Sequence, residues 1–102
     1  MRIKKGVKLF GLRPEMVVGL MVCDSVYKEF GKELVVTSLT DSKHSAKSAH
    51  YNGCGADLRT HYFTEDELRR VHSKLESELG GDFVVLLESD HFHISYKPGR
   101  PG

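Results

Sequence analysis

Apolar residues recur with helical spacing in two segments of the chain, and the first covers residues 13–31. Arg13-Pro14-Glu15 predicts its start, because proline is tolerated in a first turn and a carboxylate there suits the helix dipole. Gly31 predicts its end. Positions three and four apart form an apolar stripe that neighbouring residues widen: Met16, Leu20, Cys23, Tyr27 and Phe30, then Val17, Val18, Met21, Val22 and Val26. Such a broad apolar surface predicts the main core helix.

The second helical segment, residues 64–81, has clearer boundaries. Thr64 and Glu67 have the spacing of a capping box at its start, and Gly80-Gly81 predicts its end. Many of the other positions are charged, and the apolar stripe is narrow: Leu68, Val71, Leu75 and Leu79. We therefore expect this helix on the outside of the domain.

Strands are predicted for much of the remaining chain. Residues 33–39 and 56–60 each predict a strand, 7–12 predict a short strand or an extended arm, and the polar residues 40–47 predict a loop. The continuous apolar run at 82–88 predicts a central strand that is covered on both faces. Residues 91–96 alternate between polar and apolar, and only Ser89 and Asp90 precede them, which predicts an antiparallel hairpin.

These elements predict an α+β fold with a small antiparallel sheet, a core helix and an outer helix. We expect a single domain over residues 1–97 and a flexible tail at 98–102. The 102 residues are 39% hydrophobic and 28% charged, in keeping with one ordered domain. Fifteen basic and fourteen acidic residues give a net charge of +1, so neither a broad phosphate-binding surface nor a nucleic-acid partner is predicted.

The cysteines and the start of the chain exclude two further classes. Cys23 and Cys54 are too few for a disulfide framework, and we interpret both as reduced thiols. The basic start and apolar stretch superficially look like a signal peptide. Arg13-Pro14-Glu15 interrupts that stretch, however, and no small-residue cleavage site follows. Neither a signal peptide nor membrane insertion is therefore predicted.

Two stretches contain residues that could bind a metal, namely SAHYNGCGAD at 48–57 and SDHFHIS at 89–95. A catalytic zinc needs about three nitrogen or oxygen ligands and an open position for water. His50 and Asp57 supply two if the glycine-rich turn folds back, and the hairpin strand supplies the third. His91 and His93 share one strand face roughly 7 Å apart, so one suits the metal while the other handles protons.

The spacing leaves two other interpretations open. Histidines that alternate on a strand are often surface or structural residues, and Cys54 in the turn could complete a closed, four-ligand structural zinc site. Alternation also puts Glu88 and Asp90 on the face opposite the two histidines unless the turn rotates them.

The pattern Ser48-x-His50-x-x-Gly53-x-x-x-Asp57, followed by an acid-x-x-His on a strand, resembles the zinc D-alanyl-D-alanine peptidase family. That family includes phage L-alanyl-D-glutamate endolysins and vancomycin-resistance dipeptidases, and it shares its metal-site architecture with lysostaphin-type enzymes and the hedgehog domain. RPEM, VTSLTDSKHS and LESDHFHISY look like the short phage-encoded members, so the resemblance covers nearly the whole chain. One departure is Gly55, where the family usually has alanine.

The resemblance implies a hedgehog/DD-peptidase fold and a zinc ion held by His50, Asp57 and His93. It implies that Asp90 is the general base, and that His91 stabilises the oxyanion or moves protons. Candidate substrate-binding residues are Ser48, for the substrate backbone, and Arg59, for a carboxylate. A second match to the acid-x-x-His pattern stays open, because Glu88-x-x-His91 has the same spacing. It would make Glu88 the base and His91 the ligand.

The implied function is hydrolysis of a peptide bond in the peptidoglycan stem peptide, as a D-Ala-D-Ala carboxypeptidase or an L-Ala-D-Glu endopeptidase. A phage endolysin of this kind would be a monomer in the host cytoplasm before lysis. It would need a holin-type membrane permeabiliser to reach the cell wall. The alternative is a non-catalytic, metal-containing module of the same fold that binds peptidoglycan or belongs to the virion. The acid-x-x-His pattern favours the enzyme, because a pure binding site needs no base.

Overall fold

The computed structural model describes residues 1–9, 11–40 and 54–99, which form a mixed α+β domain. Its strands are β1 (Arg2–Ile3), β2 (Val35–Thr40), β3 (Gly55–Arg59), β4 (Phe83–Leu87) and β5 (His91–Tyr96), and its helices are α1 (Pro14–Glu29) and α2 (Glu65–Leu79). The strand order is β1-β2-β3-β5-β4. β1 runs parallel to β2, and the other neighbouring pairs are antiparallel. The predicted α+β class is confirmed, but the sheet is mixed rather than wholly antiparallel.

Helix α1 supplies the centre of the core, although its buried stripe is narrower than predicted. The predicted positions Met16, Leu20, Cys23 and Tyr27 are buried. Three neighbouring residues were predicted to widen the buried stripe, and this prediction is wrong because their side chains are 44–60% exposed: Val17, Val18 and Met21. The sheet and α2 cover one side of α1, so apolar residues on its other side do not reach the core.

Helix α2 begins at the predicted capping box. The Thr64 hydroxyl accepts from the Glu67 backbone N–H at 3.1 Å, and the Glu67 carboxylate accepts from the Thr64 backbone N–H at 2.9 Å. Val71 and Leu75 are fully buried, whereas most of the charged positions are exposed. The prediction of an outer helix with a narrow apolar stripe is therefore confirmed.

The prediction of a central, doubly covered strand at 82–88 is wrong, because β4 is the last strand of the sheet. Val85 is buried in the core, but Leu86 is 49% and Leu87 39% exposed. A continuous apolar run indicates a strand without specifying its place in the sheet. His72 of α2 donates from Nε2 to the Val85 carbonyl at 2.9 Å. This carbonyl points away from β5, so the bond lies on the open edge of β4.

The first strand also differs from the prediction. β1 is formed by Arg2–Ile3, and the described residues within 7–12 contain a turn instead, closed by the Leu12 N–H and the Leu9 carbonyl at 3.1 Å. In the predicted tail, Pro98 and Gly99 form a turn, and residues 100–102 lie outside the described part. Neither described helix is long and apolar enough to cross a lipid bilayer.

A close approach between α1 and β4 gives a test of the fold. A Cβ atom placed on Gly19 of α1 would lie 2.7 Å from Cε2 of Phe83 and 2.9 Å from its Cζ. Overpacking of this kind typically costs about 1–3 kcal/mol, whereas alanine gains about 1 kcal/mol over glycine in a helix. We expect Gly19→Ala to lower the free energy of unfolding in the wild type and to raise it by about 0.5–1 kcal/mol when Phe83 is leucine. Urea denaturation of the four proteins measures both effects, and equal effects in the two backgrounds would contradict the contact.

Candidate functional site

The register between β3 and β5 brings an acid and two histidines together. Asp57 pairs with His93, and Arg59 pairs with His91. Residues paired across an antiparallel ladder point to the same face, so these four side chains share one face of the sheet. The alternate positions on the two strands are buried against the helices: Ala56, Leu58, Phe92 and Ile94. The sheet therefore has a core face and a polar face, and the predicted hairpin of β4 and β5 is confirmed.

On the polar face, a single oxygen of Asp57 lies near both histidines. Oδ1 of Asp57 is 2.7 Å from Nδ1 of His93 and 3.5 Å from Nε2 of His91. The three side chains are each about 30% exposed, with values of 27%, 31% and 29%. The shorter contact is a hydrogen bond, in which the ring N–H donates to the carboxylate. The arrangement thus places two imidazoles beside a half-buried carboxylate.

Asp90 joins this group from the hairpin turn. Its Oδ1 atom lies 2.6 Å from Nδ1 of His91, although the Asp90 side chain is 84% exposed. Simple strand alternation puts Asp90 on the opposite side, but the turn rotates its carboxylate toward His91. Glu88, the alternative base, is exposed, and its backbone N–H donates to the His91 carbonyl at 2.8 Å. Of the two acids, Asp90 is therefore the one that contacts a histidine side chain in the described part of the chain.

The hydrogen bond to Asp90 raises the pKa of His91 above its ordinary value. Burial lowers that pKa, but the negative charges of Asp57, Asp90 and Glu88 add to the rise. Nδ1 of His91 is thus hydrogen-bonded to the Asp90 carboxylate, while Nε2 faces the carboxylate of Asp57. This geometry fixes the ring orientation and favours a proton on the imidazole.

Two residues that the sequence analysis did not connect with the site contact the backbone of β3. The hydroxyl of buried Tyr27 donates to the Arg59 carbonyl at 2.8 Å, and the Thr37 hydroxyl contacts the Asp57 carbonyl at 3.4 Å. Burial raises the pKa of Tyr27, which keeps its hydroxyl protonated as a donor. The hydroxyl of a buried tyrosine generally needs a polar partner, so the place of Tyr27 in the apolar stripe was a sequence signal for such a hydrogen bond. Thr37 lies at a bulge in β2 that no sequence pattern indicated.

Two of the predicted residues, Ser48 and His50, lie outside the described residues. Within 1–9, 11–40 and 54–99, no group of three or more histidine, cysteine, aspartate or glutamate side chains could hold a metal ion. Asp57 and His93 are donor types that suit zinc, and their Oδ1 and Nδ1 atoms face each other. Two ligands of a tetrahedral zinc lie roughly 3.3 Å apart, so the 2.7 Å contact would have to widen slightly. The pair fits as part of a zinc site whose third predicted ligand is His50.

Cys54 does not favour the closed, four-ligand alternative. The residue is 4% exposed, and strand alternation places it on the same face as Ala56, toward the core. Burial raises the pKa of its thiol, with the charge of Arg13 acting in the opposite direction. A zinc ligand must be a thiolate, so a buried neutral thiol is poorly suited to that role.

Comparisons of the chain with protein-family models, with curated proteins and with solved structures found no match.

The contact between His91 and Asp90 predicts a pH dependence in the metal-free protein. Because folding raises the pKa of His91, its protonation stabilises the fold; this contribution is complete below the unfolded value of about 6.5 and is lost as pH rises through the raised value. We expect Asp90→Asn to lower the pKa of His91 and to reduce this loss, as measured by NMR titration of the ring and by denaturation at several pH values. Glu88→Gln serves as the control and should lower the pKa of His91 by less. An unchanged His91 titration in Asp90→Asn would show that the contact does not form in solution.

Proposed function

We propose that this chain is a zinc-dependent peptidase of the hedgehog/DD-peptidase fold that hydrolyses a peptide bond in the peptidoglycan stem peptide. The observation that carries the proposal is the contact between Asp57 and His93. These two residues are 36 positions apart in the chain, and their metal-binding atoms lie 2.7 Å apart on the polar face. The resemblance names the same two residues as zinc ligands, so the sequence motif and the strand register agree on this pair.

In the proposed site, His50, Asp57 and His93 would hold the zinc ion. Bound zinc supplies Lewis-acid chemistry, which polarises a peptide carbonyl and makes water a stronger nucleophile at neutral pH. Two neutral imidazoles and one carboxylate leave the centre with a net positive charge. Among these ligands, Asp57 and His93 are held on adjacent strands whose opposite faces are buried, which limits their movement.

Proton transfer is assigned to the hairpin. Asp90 takes a proton from the attacking water and passes it to the leaving amine. The exposed position of its carboxylate, in the turn just before β5, leaves it able to reach a substrate on the polar face. Stabilisation of the developing oxyanion, or movement of protons, is assigned to His91. Its contacts with Asp90 on one side and Asp57 on the other support this assignment.

Substrate binding is assigned to Ser48 and Arg59. Arg59 pairs with His91 across the ladder, so its guanidinium extends from the same face as the acid and the histidines. A guanidinium binds a carboxylate with two parallel hydrogen bonds, and a stem peptide carries carboxylates near its scissile bonds. The proposed biological role is lysis by a phage-encoded monomer that reaches the wall through a holin-type permeabiliser.

The reaction is tested by mass spectrometry of fragments released from purified cell wall. We expect the zinc-loaded protein to release fragments with one new terminus, and a chelator to abolish their release. Added zinc should restore it. Asp57→Asn removes a charged ligand and should weaken zinc binding by more than the roughly 10- to 100-fold that loss of an outer-shell partner costs, measured by competition with a chromophoric chelator. Identical fragments with and without chelator would refute the metallopeptidase, and zinc binding without any new fragments would favour the non-catalytic module.

The two possible bases are separated by a matched pair of variants, Asp90→Asn and Glu88→Gln. Each removes one negative charge and keeps the side-chain size. We expect Asp90→Asn to retain zinc while losing about 100-fold or more of the hydrolysis rate, in the range of general-base contributions. Glu88→Gln should retain most of that rate. The reverse result, with hydrolysis lost only in Glu88→Gln, would transfer the role of base to Glu88 and that of ligand to His91.

A further inference from the structure

Helix α1 carries apolar side chains that the described fold leaves exposed. Val18 and Met21 are each 60% exposed, and Val17 is 44% exposed. Residues three and four apart are neighbours on a helix surface, so Met21 lies beside both valines. Together these three residues form the α1 patch. A contiguous apolar patch on a protein surface often marks a place where another molecule binds.

A groove of about 360 Å³ adjoins the α1 patch, between α1, the end of α2 and one end of the sheet. Val18 and Val22 line it from α1, and two aromatic residues line it from β4 and β5, Phe83 and Tyr96. These two rings are paired across the ladder, with their centroids 5.2 Å apart. A Cβ atom on Gly19 would collide with the Phe83 ring, so the glycine allows this ring to lie against α1. The lining is therefore mainly apolar and is positioned by the packing of the core.

The groove and the candidate zinc ligands lie on opposite faces of the sheet. Phe83 is two residues before Val85, which is buried in the core. Tyr96 is likewise two residues after buried Ile94. Because side chains alternate along a strand, both aromatic residues lie on the core face. A molecule bound in the groove would leave the polar face free for a substrate.

The charged residues that line the groove are both acidic. Glu15 lies in the first turn of α1, and Glu78 lies in the last turn of α2. Glu15 forms an ion pair with Arg13 at 3.8 Å, and among the described residues Glu78 forms none. The chain as a whole has a net charge of +1, so this negative charge is a local feature. The groove is therefore complementary to a ligand that combines apolar groups with positive charge.

This charge disfavours two other ways of covering the α1 patch. A second copy of the chain that used the same face would form a two-fold, self-complementary interface, which brings one acidic groove toward the other. An anionic membrane surface would repel Glu15 and Glu78 for the same electrostatic reason. A basic partner meets neither repulsion.

The groove also has the direction of a helix axis. Its lining positions on α1 are 15, 18, 19 and 22, which form one side of the helix for about 10 Å, or roughly two turns. Amphipathic helices bind in apolar grooves through residues with this same spacing. We infer that the groove and the α1 patch together bind a basic amphipathic helix of another protein. Its apolar side chains cover the patch and enter the groove, and its lysine or arginine side chains pair with Glu15 and Glu78.

The test measures the binding of two synthetic peptides that share a helical stripe of leucines and differ in the flanking charges, lysine in one and glutamate in the other. The variants are Glu78→Lys and its control Glu76→Lys, which lies two residues away on α2, is also exposed and does not line the groove. We expect Glu78→Lys to bind the lysine peptide about tenfold more weakly than Glu76→Lys does, because like charges then meet in the groove. The glutamate peptide should show the opposite preference. Fluorescence anisotropy of labelled peptides measures both affinities.

The apolar part of the interaction is tested with Val18→Ser, a change at an exposed position. We expect it to weaken binding of the lysine peptide about fivefold, because the peptide then removes less apolar surface from water. Equal affinities of Glu78→Lys and Glu76→Lys for the lysine peptide, or no binding of that peptide to the wild type, would refute the inference.

Two further outcomes would assign this face to a different occupant and so overturn the inference. A wild-type dimer in sedimentation equilibrium that Val18→Ser dissociates would assign the face to a second copy of the chain. Binding to phosphatidylglycerol vesicles in place of the lysine peptide would assign it to a membrane. None of these measurements involves zinc or hydrolysis, so their result is independent of the proposed peptidase.

Discussion

The antiparallel register of β3 and β5 determines both what the domain buries and what it presents. Because side chains alternate between the two faces of a strand, a slip of one residue would exchange every core residue for a polar one. Ala56 and Leu58 on β3, with Phe92 and Ile94 on β5, are all fully buried, so such a slip is strongly opposed. The hydrophobic effect, acting on residues with no chemical role, therefore keeps Asp57 opposite His93.

Hydrogen bonds from two other elements reinforce this register. Tyr27 connects α1 to the carbonyl of Arg59, and Thr37 connects β2 to the carbonyl of Asp57. Both bonds end on the backbone of β3 rather than on its functional side chains. The strand is consequently held by its main chain, while the carboxylate and guanidinium remain available on the polar face.

Local patterns in the sequence predicted the elements better than their arrangement. The capping box at Thr64, the α1 segment and the β4–β5 hairpin depend on neighbouring residues, and each was correctly located. The edge position of β4 was missed, because an apolar run does not reveal whether another strand will pair beside it. The exposure of Val18 and Met21 was missed for a similar reason, since their burial depends on which elements cover α1.

The candidate site shows the same division. Alternation predicted that His91 and His93 share a face, and the resemblance paired His93 with Asp57, but only the strand register gives the contact between them. The side of the hairpin occupied by the Asp90 carboxylate depended on the turn, whose rotation simple alternation does not include. The bulge in β2 that brings Thr37 to Asp57 likewise has no sequence signal that we recognise.

The hydrogen bond from His72 to the Val85 carbonyl affects how the edge of the sheet can pair with a strand from another molecule. Val85 is the middle residue of an apolar edge strand, and its carbonyl is one of the groups that a strand from a second molecule would need for pairing. The imidazole of His72 on α2 already donates a hydrogen bond to that carbonyl. This hydrogen bond from α2 therefore disfavours the pairing of a second strand at the middle of β4.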